Sequence, residues 1–575
     1  MKRRRIMVVV CLMIALAGLL PAARLSAQGD LNVWGVVVGA SPSVAFSSVF
    51  MVDDQTAWAV GEDRGRGVAY RLDWRDGRWS VSFDQWFAHP LNEVVAISAS
   101  EVWAVGDNGL IVHRDTSGWR SVEQPLPGAT LTAIQMFGSG EEGWAGGFLP
   151  PLSGPDYPQV VLLHYQHGQW RQEPSVSGPG SIEELHFTGQ VGWAAGDDVW
   201  RYEAGSWVQE PEPFACGENF PCPHTLNTVR AVSADEAWAV GSRHAICAAC
   251  VTRPYVLHRT GGAWQLTTVP TGSDNPQSRA AVTGLSFNRD GVGLMVGWYD
   301  RGYDPVREAF DARIRPMVLR YQQQQWQLES LPIELGALSA VSMEDSSHAL
   351  AVGRSGLILS YGYGAPPLPS APVGRSDDPQ ALYVEPVGHT LRGVFRGYWE
   401  RNGGLPVFGY PLTEEFTEIN ADAGHSYLVQ YFERQRYEYH PELSGTPYEV
   451  LLGRLGVEVL EQQGRDWTSF PKGDPAAPHY FAETGHAIAS EFWDYWRSHG
   501  LELGDPGVSF RESLALFGYP ISEPAMETNS SGDTVLTQWF ERARFEYHPD
   551  NPAPHKVLLG RLAAEVLRAR GWVAQ

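Results

Sequence analysis

Lysine is nearly missing from this chain. Of its 43 basic residues only Lys2, Lys472 and Lys556 are lysine. Acidic residues number 66, giving a formal charge of −23, and five of the basic side chains lie in an N-terminal leader described below. A field of that sign repels phosphate backbones and anionic bilayers, so nucleic acid is not an expected partner. Long apolar runs are also lacking: after residue 20 none approaches the ~20 residues of a spanning helix, and no integral membrane segment is expected once the leader is removed. The familiar catalytic signatures are absent. There is no Gly-x-Ser-x-Gly, no His-Glu-x-x-His, no phosphate-cradling loop and no EF-hand loop, so no catalytic residue, no cofactor and no metal ligand is assigned. What the chain does have is 22 Trp, 61 Gly and 40 Pro in 575 residues. That composition predicts folded, turn-rich units, two to four of them at roughly 100–250 residues each.

The leader is Lys2-Arg3-Arg4-Arg5, the apolar run Ile6 to Leu20, then Pro21 and small residues to Ser26-Ala27. Those are the three regions of a secretory signal peptide over 1–27, the alternative being an uncleaved anchor. The mature protein is expected outside the cytoplasm, secreted or on the cell surface. Beyond Cys11 it keeps four cysteines: Cys216, Cys222, Cys247 and Cys250. An even number in an exported chain points to two disulfides, with three pairings open, and the rival is a structural zinc site.

A repeat dominates the first 360 residues. Trp58-Ala-Val-Gly61, Trp103-Ala-Val-Gly106, Trp144-Ala-Gly-Gly147, Trp193-Ala-Ala-Gly196 and Trp238-Ala-Val-Gly241 are followed by Leu294-Met-Val-Gly297 and Leu350-Ala-Val-Gly353, at intervals of 41 to 56 residues. An alternating stretch such as Val94 to Ser98 precedes each copy. A second apolar run and a turn ending in Trp79, Trp119, Trp170, Trp207, Trp264 or Trp326 follow six of them. Four short strands per unit predict a mainly β fold, a seven-bladed β-propeller over 30–362. In each unit the Trp should fill the wedge between sheets, while the Gly permits close backbone approach. The seventh unit stops at Ser360-Tyr361 without its last strand, and Asn32-Val-Trp34-Gly-Val-Val-Val38 reads as that strand, closing the ring from the N-terminus.

Trp103-Ala-Val-Gly-Asp-Asn-Gly-Leu-Ile-Val-His113 with Ser117-Gly-Trp119 resembles the blades of sialidase-like and BNR-type propellers, above all the photosystem II stability/assembly factor family. The resemblance implies an exported scaffold that binds other proteins. A sialidase would need an Arg cluster, a Tyr–Glu nucleophile pair and an acid Asp, and its Asp-box survives here only at the Gly and Trp ends. Arg313-Ile-Arg315-Pro316 lies in the sixth unit, whereas the sialidase motif lies in the first. The connection between the second and third strands is two residues at Asp107-Asn108 but long at Phe148 to Gln159, Ser242 to Pro254 and Trp298 to Pro316. Such loops on a rigid scaffold are where binding usually resides. Tyr157, His244, Trp298, Tyr299, Arg301 and Tyr303 are the candidate contacts, and the four cysteines belong to the same face.

A Pro-rich spacer, 363–384, separates the ring from a duplicated unit, 385–466 and 467–575. Gly388-His389 with Leu391, Phe395, Tyr398 and Trp399 recurs as Gly485-His486 with Ile488, Phe492, Tyr495 and Trp496, a spacing that predicts an amphipathic helix. Phe408-Gly-Tyr-Pro411 recurs as Phe517-Gly-Tyr-Pro520, and Gln430-Tyr-Phe-Glu-Arg434 as Gln538-Trp-Phe-Glu-Arg542, read as strands with exposed ion pairs. These units form a small α+β domain. They resemble LGFP-type repeats of cell-envelope proteins, which implies envelope attachment. The expectation is a non-enzymatic exported binding protein whose partner is a protein or an envelope glycan; the alternative is a sialidase-like glycoside hydrolase.

Overall fold

The computed structural model describes residues 33–573 except 76, 123–125, 152–156, 214–223, 245–251, 305–308, 312, 365–366, 376–377 and 421–425. Cys216, Cys222, Cys247 and Cys250 lie outside the described residues, as does the leader. Among the described residues, seven four-stranded antiparallel sheets succeed one another around a ring. Blades 1 to 6 span 44–87, 91–121, 130–172, 182–210, 224–266 and 280–328, with strands lettered A to D from the channel outwards. Blade 7 takes three strands from 338–361 and its strand D from Trp34–Val36, which pairs antiparallel with Ile358–Tyr361. Trp34 stands opposite Tyr361, as Trp170 stands opposite Tyr165 and Trp326 opposite Tyr321. The N-terminal strand therefore occupies the register of an ordinary strand D and covers an edge that would otherwise be open.

The Trp-x-x-Gly repeat does two separate jobs. Each strand-B Trp packs edge to face on the strand-D Trp of the next blade: Trp58 on Trp119, Trp103 on Trp170, Trp144 on Trp207, Trp193 on Trp264 and Trp238 on Trp326, with centroids 5.5–6.3 Å apart. Where the repeat has Leu, the apolar seam persists, Leu294 sharing a core with Trp34 and Leu350 with Trp79. The Gly answers a bulge. In every blade one residue of strand A has no partner on strand B: Ser47, Asn92, Thr132, Glu183, Asn227, Thr283 and Ser339. Opposite it, a Cβ on the repeat glycine would lie 1.9–2.2 Å from a strand-A carbonyl, so no side chain fits. The bulged residues then link neighbouring blades. Ser47 donates to Leu91 O (2.9 Å), Asn92 to Leu131 O (2.9 Å), Asn227 to Val282 O (2.7 Å) and Thr283 to Leu338 O (2.8 Å). Innermost strands of adjacent blades form no ladder with each other, and these bonds supply the cross-links.

The C-terminal residues form two copies of one unit. The first has helices α1 (Gly393–Arg401), α2 (Gly404–Phe408) and α3 (Leu455–Gln462); the second has α4 (Ser490–Ser498), α5 (Phe510–Phe517) and α6 (Leu562–Ala569). Each adds a four-stranded antiparallel meander, 416–452 and 525–559. Both helices α1 and α4 start later than the apolar spacing suggests. Leu391 and Ile488 lie outside them because the residues just upstream, His389–Leu391 and His486–Ala487, pair in short hairpins. The copies interlock reciprocally: the Gly456 N–H donates to Glu541 O (3.0 Å) and the Ala564 N–H to Glu433 O (3.3 Å). Two cores run through both units, so they form one domain. The Pro-rich segment lies along the ring and does not act as a free spacer. Tyr363 packs against Trp74 and Trp79 of blade 1 and donates to Asp54 O (2.6 Å), and Ser370 donates to Trp572 O (2.6 Å).

Candidate binding face and channel

Antiparallel order within a blade puts the A–B and C–D turns at one mouth of the ring and the B–C and D–A connections at the other. At the first mouth the acidic turns are committed to structure. Strand-B Trp rings stack on a strand-C His that reaches an A–B acid: Trp144 on His164 with Glu142 (3.2 Å), and Trp238 on His258 with Glu236 (3.0 Å). Trp103 with His113 and Glu101 repeats the device.

The second mouth is elaborated. The B–C connection is Asp107–Gly109 in blade 2, whereas in blade 6 it carries an extra hairpin, Gly302–Asp304 paired with Ala309–Asp311. Asp300, which is buried, organises that insertion. Its carboxylate accepts from the Arg279 backbone N–H (2.6 Å), the Arg279 Nε (2.7 Å) and the Gly302 N–H (3.1 Å), tying the hairpin to the connection that enters blade 6. Asn275 on that connection donates to Arg301 O (2.7 Å). The described part of the insertion is thus bonded to the connection between blades 5 and 6.

The candidate contacts fall into two groups. Trp298 and Tyr299 end strand B of blade 6, Arg301 and Tyr303 lie in the insertion that follows, and His244 ends strand B of the neighbouring blade 5. Trp298 is half-buried between Ala281 and Pro316, and Arg301 is exposed. Tyr299 is half-buried beneath the chain turn at Gly272, where a Cβ would meet its ring at 2.7 Å, so part of that ring is already engaged. Nothing is described of the side chains of His244 and Tyr303. Tyr157 stands apart on blade 3, 74% exposed.

Sequence reasoning missed the channel. Strands A enclose about 710 Å3, lined by a mixture of polar and apolar side chains; Glu183 and Glu344 border it, and blades 2, 4 and 5 contribute Glu93, Glu184, His186 and Arg230. Arg230 Nη1 lies 3.1 Å from Glu184 Oε2, and Glu93 accepts from the Ile134 N–H (2.7 Å). Burial, then the neighbouring Glu184 charge, pushes the Glu93 carboxyl well above the ordinary range. Burial, then Arg230, lowers His186 to about 3; the imidazole is neutral and its Nδ1 accepts from the Ala231 N–H (3.2 Å). The signal available beforehand was charge inside an otherwise apolar strand A, as in Ile182-Glu-Glu-Leu-His-Phe187. No tyrosine lines this channel among the described residues, so the Arg, Tyr and Glu of a sialidase do not converge there.

The C-terminal domain docks on the elaborated mouth, over blades 7 and 1. Arg570 Nη2 bonds Glu418 (2.5 Å) and lies 3.4 Å from Ala40 O, which sits on the connection entering blade 1. Arg64, in the B–C turn of blade 1, meets Glu461 of α3 at 2.8 Å. Gly571 abuts Leu335 on the connection entering blade 7, and Trp572 packs with Val38. Burial pushes Glu461 up to about 7 against the opposing pull of Arg64.

The chain is a β-propeller joined to a duplicated α+β domain. No family model and no curated protein matches its sequence. Among solved structures it is similar to the WD40 β-propeller domain of Doa1, at 10% identity over 57% of this chain and 96% of that one, with a TM-score of 0.37. It is likewise similar to YCF48 bound to D1 peptide, at 14% identity over 58% of this chain and 97% of that one, also with a TM-score of 0.37. Among the described residues no helix is long and apolar enough to cross a membrane, and no group of three or more His, Cys, Asp or Glu is placed to hold a metal ion.

Proposed function

We propose that this is an exported binding protein whose B–C and D–A face, over blades 3 to 6, takes a protein partner, while the C-terminal domain serves attachment to the envelope. The observation that carries the reading is the docking of that domain on blades 7 and 1. The domain rises from the same face as the long connections of blades 3, 5 and 6, on which Tyr157 and Arg301 are exposed and Trp298 is half-buried. Trp and Arg are the residues that most often anchor protein interfaces. The sequence resemblance to the assembly-factor propellers points the same way.

The test compares the full chain with a Trp298→Ala/Arg301→Glu variant as bait for proteins of the extracytoplasmic fraction. Loss of a stoichiometric partner from the variant, with its thermal unfolding unchanged, is the expected result. Equal capture by both baits overturns the assignment of this face, and hydrolysis of a sialoside panel by the purified chain would replace binding with the glycosidase alternative. Export is checked by N-terminal sequencing of the mature protein, expected to begin at Gln28.

A further inference from the structure

The two C-terminal units differ at one place that packing alone does not explain. In the first, α1 passes to α2 through Asn402 and Gly403; in the second, α4 and α5 are separated by the eleven residues 499–509. That insertion is fixed in place. The Leu503 N–H and Asp505 N–H both donate to Glu512 Oε1 (2.9 and 3.2 Å), Ser509 and Glu512 form a reciprocal capping box, and the Glu502 N–H donates to Asn402 (2.7 Å). Leu501 and Leu503 are thereby held as one wall of a cleft between the units, of about 320 Å3, whose other walls include Tyr448, Leu451 and Leu514.

Charged and polar groups interrupt this apolar lining: Glu541 is engaged by Arg454 (3.2 Å) and the Tyr519 N–H (3.1 Å) and Arg511 by Asp505 (2.9 Å), which leaves Tyr398 and Arg542. Tyr398 is 3% exposed, and its hydroxyl has no hydrogen-bond partner among the described residues. The Arg542 guanidinium, within electrostatic range of that hydroxyl, uses Nε on Leu452 O (3.2 Å), while its Nη1 stands 3.6 Å from Glu541, beyond hydrogen-bonding distance. The duplication supplies an internal control. Arg434 occupies the position equivalent to Arg542, and the cleft beside it, about 240 Å3, is lined instead by Asn529, Ser530, Ser531 and Asp533. Only the cleft with the inserted wall sets leucines from both units around its arginine.

We propose that the Arg542 cleft is a binding site for a small amphipathic carboxylate. The apolar body would lie against Leu501, Leu503 and Leu514, and the carboxylate would accept from Arg542 and the Tyr398 hydroxyl. A cleft of about 320 Å3 suits a body of roughly a dozen non-hydrogen atoms and is too small for a folded segment. A guanidinium and a phenol are both donors, so the site selects an anion over an alcohol or an amine of the same body.

The probes are decanoate, decanol and decylamine, titrated into the full-length protein by calorimetry. Decanoate is expected to bind at least about tenfold more tightly than decanol, since a hydrogen bond to a charged group contributes that much. Arg542→Gln should remove that preference without abolishing decanol binding. Ala515→Trp, which fills the cleft from a half-buried position, should abolish both; if that variant does not fold, Tyr448→Ala should weaken both by opening a wall. Equal affinity for decanoate and decanol, no binding of decanoate, or binding untouched by the cleft variants overturns the proposal.

Discussion

The ring and the C-terminal domain are both built by repetition, yet what each repeats at its seams differs. The ring repeats an aromatic wedge, and its contact is with the next blade: Trp193 with Trp264, Trp238 with Trp326. The duplicated domain repeats a buried charge cluster. Arg436 bonds Glu438 (2.5 Å) and Glu458 (2.7 Å), while Arg544 bonds Glu546 (2.8 Å) and Glu565 (2.8 Å), all eight-tenths or more removed from solvent. Arg436 and Arg544 each lie over an aromatic, Tyr431 and Trp539. A ring tolerates drift of one blade because each seam needs only apolar area; the charge cluster tolerates no single loss, because every member compensates another. The glutamates and arginines repeated at Glu433, Arg434, Glu541 and Arg542 behave similarly. They are half-buried turn residues engaged from the other unit, Glu541 by Arg454 (3.2 Å) and Glu433 by Arg561 (3.7 Å), and the pair that Arg542 makes with Glu541 (3.6 Å) is half-buried where an exposed one is expected.

The strongest way to break this comparison is Arg436→Met. It leaves Glu438 and Glu458 buried without their cation, and removing one partner of such a cluster costs about 3–5 kcal/mol. Region-resolved hydrogen exchange should show protection lost over 416–462 and kept over blades 2 to 5. Equal loss in both regions would mean that the ring depends on the domain docked against it. Gly241→Ala addresses the other region: its Cβ would stand 1.9 Å from Thr225 O. The expected cost is about 3 kcal/mol, from forced displacement of backbone at the bulge. Gly205→Ala, at a turn with open space but φ +84°, should cost only about 1 kcal/mol. Trp238→Leu comes next, at about 2 kcal/mol, because blades 6 and 7 already carry Leu at this position and keep their seams. Urea unfolding that placed it above Gly241→Ala would give the wedge precedence over the bulge.

These same elements show where sequence was informative. Period-two alternation and Trp-x-x-Gly were visible because each seam draws on residues at a fixed offset in one blade, and the missing seventh Trp could be sought at Trp34 for that reason. The bulge was half visible: the Gly was explicable, but Ser47, Asn92, Thr132, Asn227 and Thr283 are polar residues of differing type, recognisable only through the carbonyl each of these finds on the next blade. The channel charges were hidden because Glu93, Glu184 and Arg230 come from blades 2, 4 and 5 and meet only when the ring closes. Nor could spacing show that the Pro-rich segment would be pinned by Tyr363, since composition specifies stiffness and not what a chain lies against.

The ring also buries charges, Arg259 with Glu210 and Asp300 with Arg279 among them, and the one in the channel gives a smaller expected effect than Arg436→Met or Gly241→Ala. Glu93 is buried beside Glu184, with Arg230 the compensating cation nearby. A carboxyl whose folded pKa is raised contributes fully below its unfolded value near 4.5, and that contribution is lost as pH rises, because the unfolded chain ionises while the folded one holds its proton. Glu93→Gln keeps an acceptor for the Ile134 N–H and a donor towards Glu184, and it cannot ionise. The variant should therefore match the parent at pH 4.5 and exceed it by about 1–2 kcal/mol at pH 8, read from urea midpoints at the two pH values. His186, lowered to about 3, works in the other direction, losing its contribution as pH falls from 6.5. It is common to both proteins, so the difference between them isolates Glu93. A variant no more stable at pH 8 than the parent would mean that Arg230 compensates both carboxylates, and the channel would then be a balanced cluster of the kind found around Arg436.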